Sequence, residues 1–241
     1  MQTREIEKNY IPKLVLDDGV IIEEEKGIGE AFVGYFCSLF QFAPTSNFDP
    51  FLQEIRPKVT DQMNAELTRP FSALEAKQSS KQMKPLTAPG PNGMPSFFFK
   101  SYWSIVGNYV IDVALSVLNT SVMPSNINHT FISLIPKIKS PINPKDFRHI
   151  SLCNAIYKII SKTIANCLKK IIPKLVSEIQ SAFMSDRLIS NNILIAFETL
   201  HHLENKRNGK SGLMALKLDM SKTYDRVEWN FLEKNHGAFG F

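Results

Sequence analysis

The sequence predicts a chain of mixed helices and strands, on three observations. Met214, Leu216 and Leu218 alternate with Ala215, Lys217 and Asp219, a period of two that marks a half-buried strand. Residues 131–137 and 147–152 read as two further strands returning through a turn at Asn143-Pro144-Lys145-Asp146. Elsewhere apolar residues recur every three or four positions, the period of amphipathic helices.

The elements follow in order. Ile11–Leu16, the turn Asp17-Asp18-Gly19 and Val20–Ile22 predict a small hairpin. Ile28, Ala31, Phe32, Tyr35, Phe36, Leu39 and Phe40 predict a helix over 27–40 with one packing face. Residues 41–58 hold prolines and polar groups and read as a loop. Thr60 or Asp61 caps a short helix through Leu67, and Ser72 with Glu75 makes a capping box for another that ends near Met83. In Leu86–Pro95, Gly90 and Gly93 permit positive φ while Pro89 and Pro91 fix φ, so the stretch must turn. Residues 97–118 read as one or two helices with Phe98, Tyr102, Ile105 and Val106 in the core. Residues 153–174 read as a helix whose apolar side is Ile156, Ile159, Ile160, Thr163, Ile164 and Leu168. The helix after Ile189 should bury Ile189, Ile193, Ala196, Phe197, Leu200 and Leu203.

Length and composition allow one large domain or two small ones. The chain has 241 residues, of which 44% are hydrophobic, enough for a sizeable core. Charge is divided along it. Residues 1–80 carry 8 Lys and Arg against 13 Asp and Glu; the remainder carries 20 against 10. A basic body suits a polyanionic partner, although ordinary solvated faces give the same pattern. Cys37, Cys153 and Cys167 lack the spacing of a zinc site or a disulfide framework. No apolar run approaches the ~18 residues of a membrane span, and the opening ten residues are charged and polar. The expectation is an intracellular protein, nuclear or cytoplasmic, with no membrane partner.

Three places carry candidate chemistry. Asp219 ends the last strand, where a carboxylate can hold a metal against a phosphate; Tyr224 and Asp225 follow. The 131–152 ribbon bears Lys137, Lys139, Lys145 and Arg148, cations suited to a triphosphate or simply to solvent. Lys158, Lys162 and Lys169 fall on one helix face that could track a nucleic-acid backbone or be plainly solvated.

The stretch Ala215-Leu216-Lys217-Leu218-Asp219-Met220-Ser221-Lys222-Thr223-Tyr224-Asp225-Arg226-Val227-Glu228-Trp229 resembles motif A of reverse transcriptases of LINE-type (non-LTR) retrotransposons, in a plant-like form, with Thr223 in place of the usual alanine. Leu86–Pro95 resembles the family's "KAPGPDG", with Thr87 and Asn92 departing from it. Residues 134–162 resemble "LIPKxK…DFRPISLCNVIYKIISK", with His149 where the family has proline. Residues 178–192 resemble "ESQSAFVPGRLITDN", with Asp186 for glycine and Asn191 for aspartate.

This resemblance covers roughly residues 11–241, with its motifs in order. It implies an α+β fold, the fingers and partial palm of a right-hand polymerase. Residues 1–84 would form a helical linker region, 85–200 the fingers and 201–241 the start of the palm. It implies RNA-directed DNA synthesis: templated addition of a dNTP to a primer 3′-hydroxyl, with an RNA template, a DNA primer and Mg²⁺. By the same resemblance Asp219 and the Met220 backbone carbonyl bind metal, and Lys137 and Arg148 hold the triphosphate. Tyr224 acts as the steric gate at the sugar, and Arg187 contacts template or braces the palm. His149 is expected to loosen its strand.

The family's Ala-Asp-Asp pair does not occur in these 241 residues, and the remaining palm and thumb would have to complete the fold. The expectations are therefore that this polypeptide alone does not polymerise and that Met214–Leu218 presents an unpaired edge. The alternative reading is a nucleic-acid-binding remnant without chemistry, or a non-functional relic.

Overall fold

A computed structural model describes residues 10–41, 47–206, 213–219 and 224–241. They form a mixed α+β structure that divides into two compact units interleaved in sequence. The first holds 1–43 and 68–166, the second 44–67 and 167–241.

In the first unit, β1 (Leu14–Val15) and β2 (Ile21–Ile22) pair antiparallel as the small hairpin expected. Helix α1 (Glu25–Leu39) follows, and Ile28, Phe32 and Phe36, four residues apart, bury one stripe. That stripe packs with Leu14 and Phe147 into one core. Helices α4 (Ala73–Gln82), α5 (Ser96–Ser101), α6 (Trp103–Thr120) and α7 (Ala155–Leu168) supply the rest. Ala76, Ala114, Val117 and Ile160 meet in one cluster, and Phe99, Val110, Ala155 and Ile159 in another.

Two expectations about these helices are corrected. Of the four residues expected in the core of 97–118, Phe98 and Val106 are half-buried against the Phe99 and Val110 cluster, whereas Tyr102 and Ile105 are not in it. Ile105 is 77% exposed and Tyr102 is also exposed, while Phe99, Val110, Ala114 and Val117 are buried. The backbone leaves the helix at Tyr102 (φ −105°, ψ 24°), which resets the helical phase between α5 and α6. The helix expected over 153–174 ends at Leu168, and a short α8 (Ile172–Leu175) follows. Pro173 has no N–H to continue the ladder. Ile164, assigned to the apolar side, is exposed.

The capping box of α4 is formed as expected. Ser72 Oγ accepts from Glu75 N at 3.4 Å, and Ser72 N donates to Glu75 Oε2 at 3.0 Å. Arg69 adds a fork, donating to Oε1 at 2.6 Å and to Oε2 at 3.1 Å. This guanidinium, helped by Ser72, holds the Glu75 carboxyl down to about 2 from an ordinary 4.5. A depressed carboxylate stabilises the fold above its unfolded pKa, and that stability is lost as pH falls through the folded value. The increment is therefore complete above about pH 5 and disappears between roughly pH 4.5 and 2. Water reaches both side chains, so it is worth about 1 kcal/mol. Arg69→Ala should lower urea stability by that amount at pH 7 and by almost nothing at pH 2. An equal loss at both values would remove the ion pair as its cause.

In the second unit, α3 (Asp61–Thr68) begins at the Thr60 hydroxyl, which accepts from Met63 N at 3.3 Å. Val59, Ile171 and Leu175 form the core with Met63, Leu67 and Phe239. The C-terminal helix α10 (Trp229–Phe239) is tied to it, because Phe239 O accepts from Lys58 N and Val59 N at 2.9 and 3.0 Å. The stretch read as a loop over 41–58 contains a short helix, α2 (Asp49–Leu52), started by Pro50 in its first turn.

Two further expectations fail in this unit. Residues 213–219 carry no strand, and Leu218 is 81% exposed. A period of two makes a strand only where a partner strand takes its hydrogen bonds. Helix α9 (Ile189–Asn205) forms, but Ile189, Ile193, Ala196, Phe197 and Leu200 are exposed and only Leu203 is half-buried. Periodicity identifies the apolar face of a helix, not what covers it. Among the described residues, no helix is long and apolar enough to cross a membrane.

Candidate functional site

The candidate site is built on the hairpin of β3 (Thr130–Pro136) and β4 (Phe147–Cys153) in the first unit. Its register runs unbroken from Thr130↔Cys153 to Pro136↔Phe147. The Lys137 N–H donates to Asp146 O at 2.8 Å and extends the ladder by one pair. Side chains alternate across a strand, so the register divides the hairpin into two faces. Leu134, Pro136, Phe147 and His149 share the inner face, where Phe147 is buried. Ile135, Lys137 and Arg148 share the outer one. Arg148 lies opposite Ile135, which makes Lys137 its diagonal neighbour, at roughly 7–8 Å between Cα atoms.

The expectation that His149 loosens this strand is corrected. His149 pairs with Leu134 in register, and its ring meets Phe36 and Phe40 of the α1 region edge-on at 5.0 and 5.8 Å. An aromatic ring on a pleated surface packs where proline would offer only a short ring.

The hairpin's tip is shaped by a turn at Pro144–Asp146. Asn143 Oδ1 accepts from Lys145 N at 3.2 Å, and Asp146 Oδ2 accepts from Asn143 N at 3.0 Å. Lys137 Nζ donates to Lys145 O at 2.7 Å, which draws that ammonium towards the turn. The β1–β2 hairpin braces the tip. Val15 N donates to Ile142 O at 2.6 Å, and Asn143 Nδ2 donates to Val15 O and Asp17 Oδ1 at 3.2 and 3.0 Å. Lys145 Nζ lies 3.3 Å from the same Asp17 oxygen. The Asn143 amide, then Lys145, lower the Asp17 pKa.

A second feature adjoins the hairpin, and sequence reasoning missed the residue that makes it. Asn154 is buried between β4 and α7. Its Oδ1 accepts from Asn92 N at 3.2 Å, and its Nδ2 donates to Asn126 O at 3.2 Å and Ile127 O at 3.4 Å. Gly90 seats the turn-rich loop on this asparagine: a Cβ there would lie 2.4 Å from Asn154 N. Lys158 Nζ donates to Ala88 O at 3.0 Å, so this lysine fastens the same loop. Gly93 has the positive φ (70°) expected of the loop, whereas Gly90 serves close approach. A lone buried asparagine has no periodic signal; only the compact Pro-Gly loop hinted at a docking point.

The other nominated residues are placed as follows. Lys162 is exposed on α7, and Lys169 stands past the helix end in the second unit. Arg187 donates to the carbonyls of Ser177, of Gln180 at 2.8 Å and of Pro173 at 3.4 Å, so it braces 173–180. Asp186, where the resembled family has glycine, takes φ 63°, the left-handed conformation glycine enters most easily. Asp219 is exposed in the second unit. Met220–Thr223 and the Tyr224 side chain lie outside the described residues; the Tyr224 backbone opens a 3-10 turn, Tyr224–Arg226. Among the described residues no three His, Cys, Asp or Glu side chains come together to hold a metal ion. Asp219 thus has no co-ligands there, and the described residues do not by themselves fit Mg²⁺.

Residues 135–241 match the family model described as reverse transcriptase (RNA-dependent DNA polymerase). The match opens at Ile135, opposite Arg148, and reaches past Asp219. Over 235 residues the chain is also similar, at 27% identity, to the "Transposon TX1 uncharacterized 149 kDa protein" of Xenopus laevis. That likeness covers 97% of this chain and 18% of the relative's length. The likeness to the reverse transcriptase family model is confined to residues 135–241.

Proposed function

We propose that the chain supplies the nucleotide-binding fingers and the first palm segment of an RNA-directed DNA polymerase of a LINE-type retrotransposon, plant-like in its motifs. The observation that carries the proposal is the placing of Lys137 and Arg148 as neighbours on the outer face of a braced hairpin, with Arg148 inside the matched region. Arg148 offers a planar fork of donors and Lys137 a point charge, and together they suit the oxygens of a dNTP triphosphate. The brace on the hairpin's tip holds the backbone that carries them, so less ordering remains for the moment of binding. Tyr224 would read the sugar, and an RNA template with a DNA primer would supply the partner strands. Asp219 would be one ligand of the metal set.

Binding of a fluorescent dTTP analogue to the 241-residue chain tests this reading. Arg148→Glu reverses a charge at the triphosphate and should weaken binding by ten-fold or more; Lys137→Ala should weaken it by about three- to ten-fold. A thymidine analogue without phosphates should bind neither the parent chain nor the variants. Equal affinity of parent and Arg148→Glu for the triphosphate would overturn the proposal.

A further inference from the structure

We propose that the inner side of the same hairpin carries a second nucleic-acid contact, a cleft that takes one nucleoside phosphate unit of a single strand. The cleft, of about 360 Å³, lies in the first unit between the chain at Tyr10–Lys13 and the hairpin's tip. Pro12, Pro136 and Phe147 give it apolar walls, and Lys13 and Lys139 provide its cations. No carboxylate is among the described residues that line it.

Three features select the ligand. Tyr10 is 73% exposed, so its ring is open to a partner. An open aromatic ring in a cleft that also holds two lysines can stack a base while the ammonium groups take its flanking phosphates. The volume admits one nucleotide, not a paired duplex. Finally, the walls are fixed to each other before any ligand arrives. The Val15–Ile142, Asn143–Val15 and Lys145–Asp17 contacts join the segment just after Lys13 to the segment just after Lys139. The site is distinct from the proposed triphosphate site, because Pro136 and Phe147 point to the opposite face from Lys137 and Arg148.

A 12-nucleotide oligouridylate bearing a central 4-thiouridine provides the test, with the full 241-residue chain and no triphosphate present. Irradiation should cross-link it to peptides containing Tyr10–Lys13 or Lys139–Ile142. Lys13→Glu with Lys139→Glu should weaken binding, read by fluorescence anisotropy, by ten-fold or more. Lys26→Glu with Lys77→Glu imposes the same change in net charge elsewhere on the unit and should weaken it less than two-fold. Tyr10→Ala, at an exposed side chain, should cost at least five-fold. Cross-links that map elsewhere, or equal losses from the two charge pairs, would overturn the site. Competition by uridine 5′-monophosphate as strong as by the oligomer would overturn the single-strand assignment. Because dTTP is absent, failure here leaves the Lys137–Arg148 reading untouched, and failure of the dTTP titration leaves this one untouched.

Discussion

Gly90→Ala is expected to destabilise the first unit by about 3 kcal/mol, from one added methyl group. The new Cβ would lie 2.4 Å from Asn154 N and 2.6 Å from both Asn154 Oδ1 and Cys153 C. Two of these atoms are backbone at the junction of β4 and α7, and they cannot turn aside as a flexible side chain would. The loop must lift instead. Lifting it stretches the Asn92–Asn154 and Lys158–Ala88 contacts, so the overpacking cost comes with lost hydrogen bonds. Urea unfolding followed by circular dichroism reads the loss directly. A loss below about 1 kcal/mol would show that the loop is not seated as described. Gly93→Ala places a methyl group in open space but at φ 70°, and should cost only about 1 kcal/mol of backbone strain.

Asn154→Leu should cost a similar amount, roughly 3 kcal/mol, for a different reason. Leucine has the same Cγ-branched skeleton of four heavy atoms and is somewhat bulkier, so no cavity opens. What is lost is polar pairing: the Asn92 N–H and the carbonyls of Asn126 and Ile127 all lose their partner at once. Asn154→Asp keeps an acceptor for Asn92 N but turns a buried carboxylate oxygen onto the carbonyls of Asn126 and Ile127, and should cost at least as much as leucine at pH 7. Gly90 and Asn154 act on one contact, so the double variant should lose clearly less than the sum of the two single losses. Strict additivity would mean that the loop and the asparagine are independent.

The parts legible in the sequence are those whose signal is local. The Ser72–Glu75 box, the Ile28–Phe32–Phe36 stripe and the two alternating strands of the hairpin each carry their pattern within a few residues, and each forms. The parts misread depend on partners far away in the chain. Within 97–118 the reading holds for Phe98 and Val106 and fails for Tyr102 and Ile105, because a local break at Tyr102 changes which residues share a face. Residues 213–219 have the right period for a strand, but a strand needs a neighbour to accept its hydrogen bonds. The apolar face of α9 is legible and still exposed. At the candidate site, Lys137 and Arg148 were identifiable by type and resemblance. Their sharing of a face required the register, and the brace from Val15 and Asp17 required the fold.

That brace also dictates an order of assembly. Asn143 and Lys145 reach Val15 and Asp17 across 126 to 128 residues of chain. During synthesis, at ~5–20 residues per second, residues 11–22 therefore wait roughly 6–25 s for their partners to be made. Leu14, fully buried in the finished unit, spends that interval without its neighbour Phe147. The second unit closes later still, since Asn64 Nδ2 finds its acceptor, Gly240 O, 176 residues on. Both units are thus knit by contacts of high sequence separation, which slows folding and leaves apolar segments to be shielded until residues as far on as Gly240 have been made.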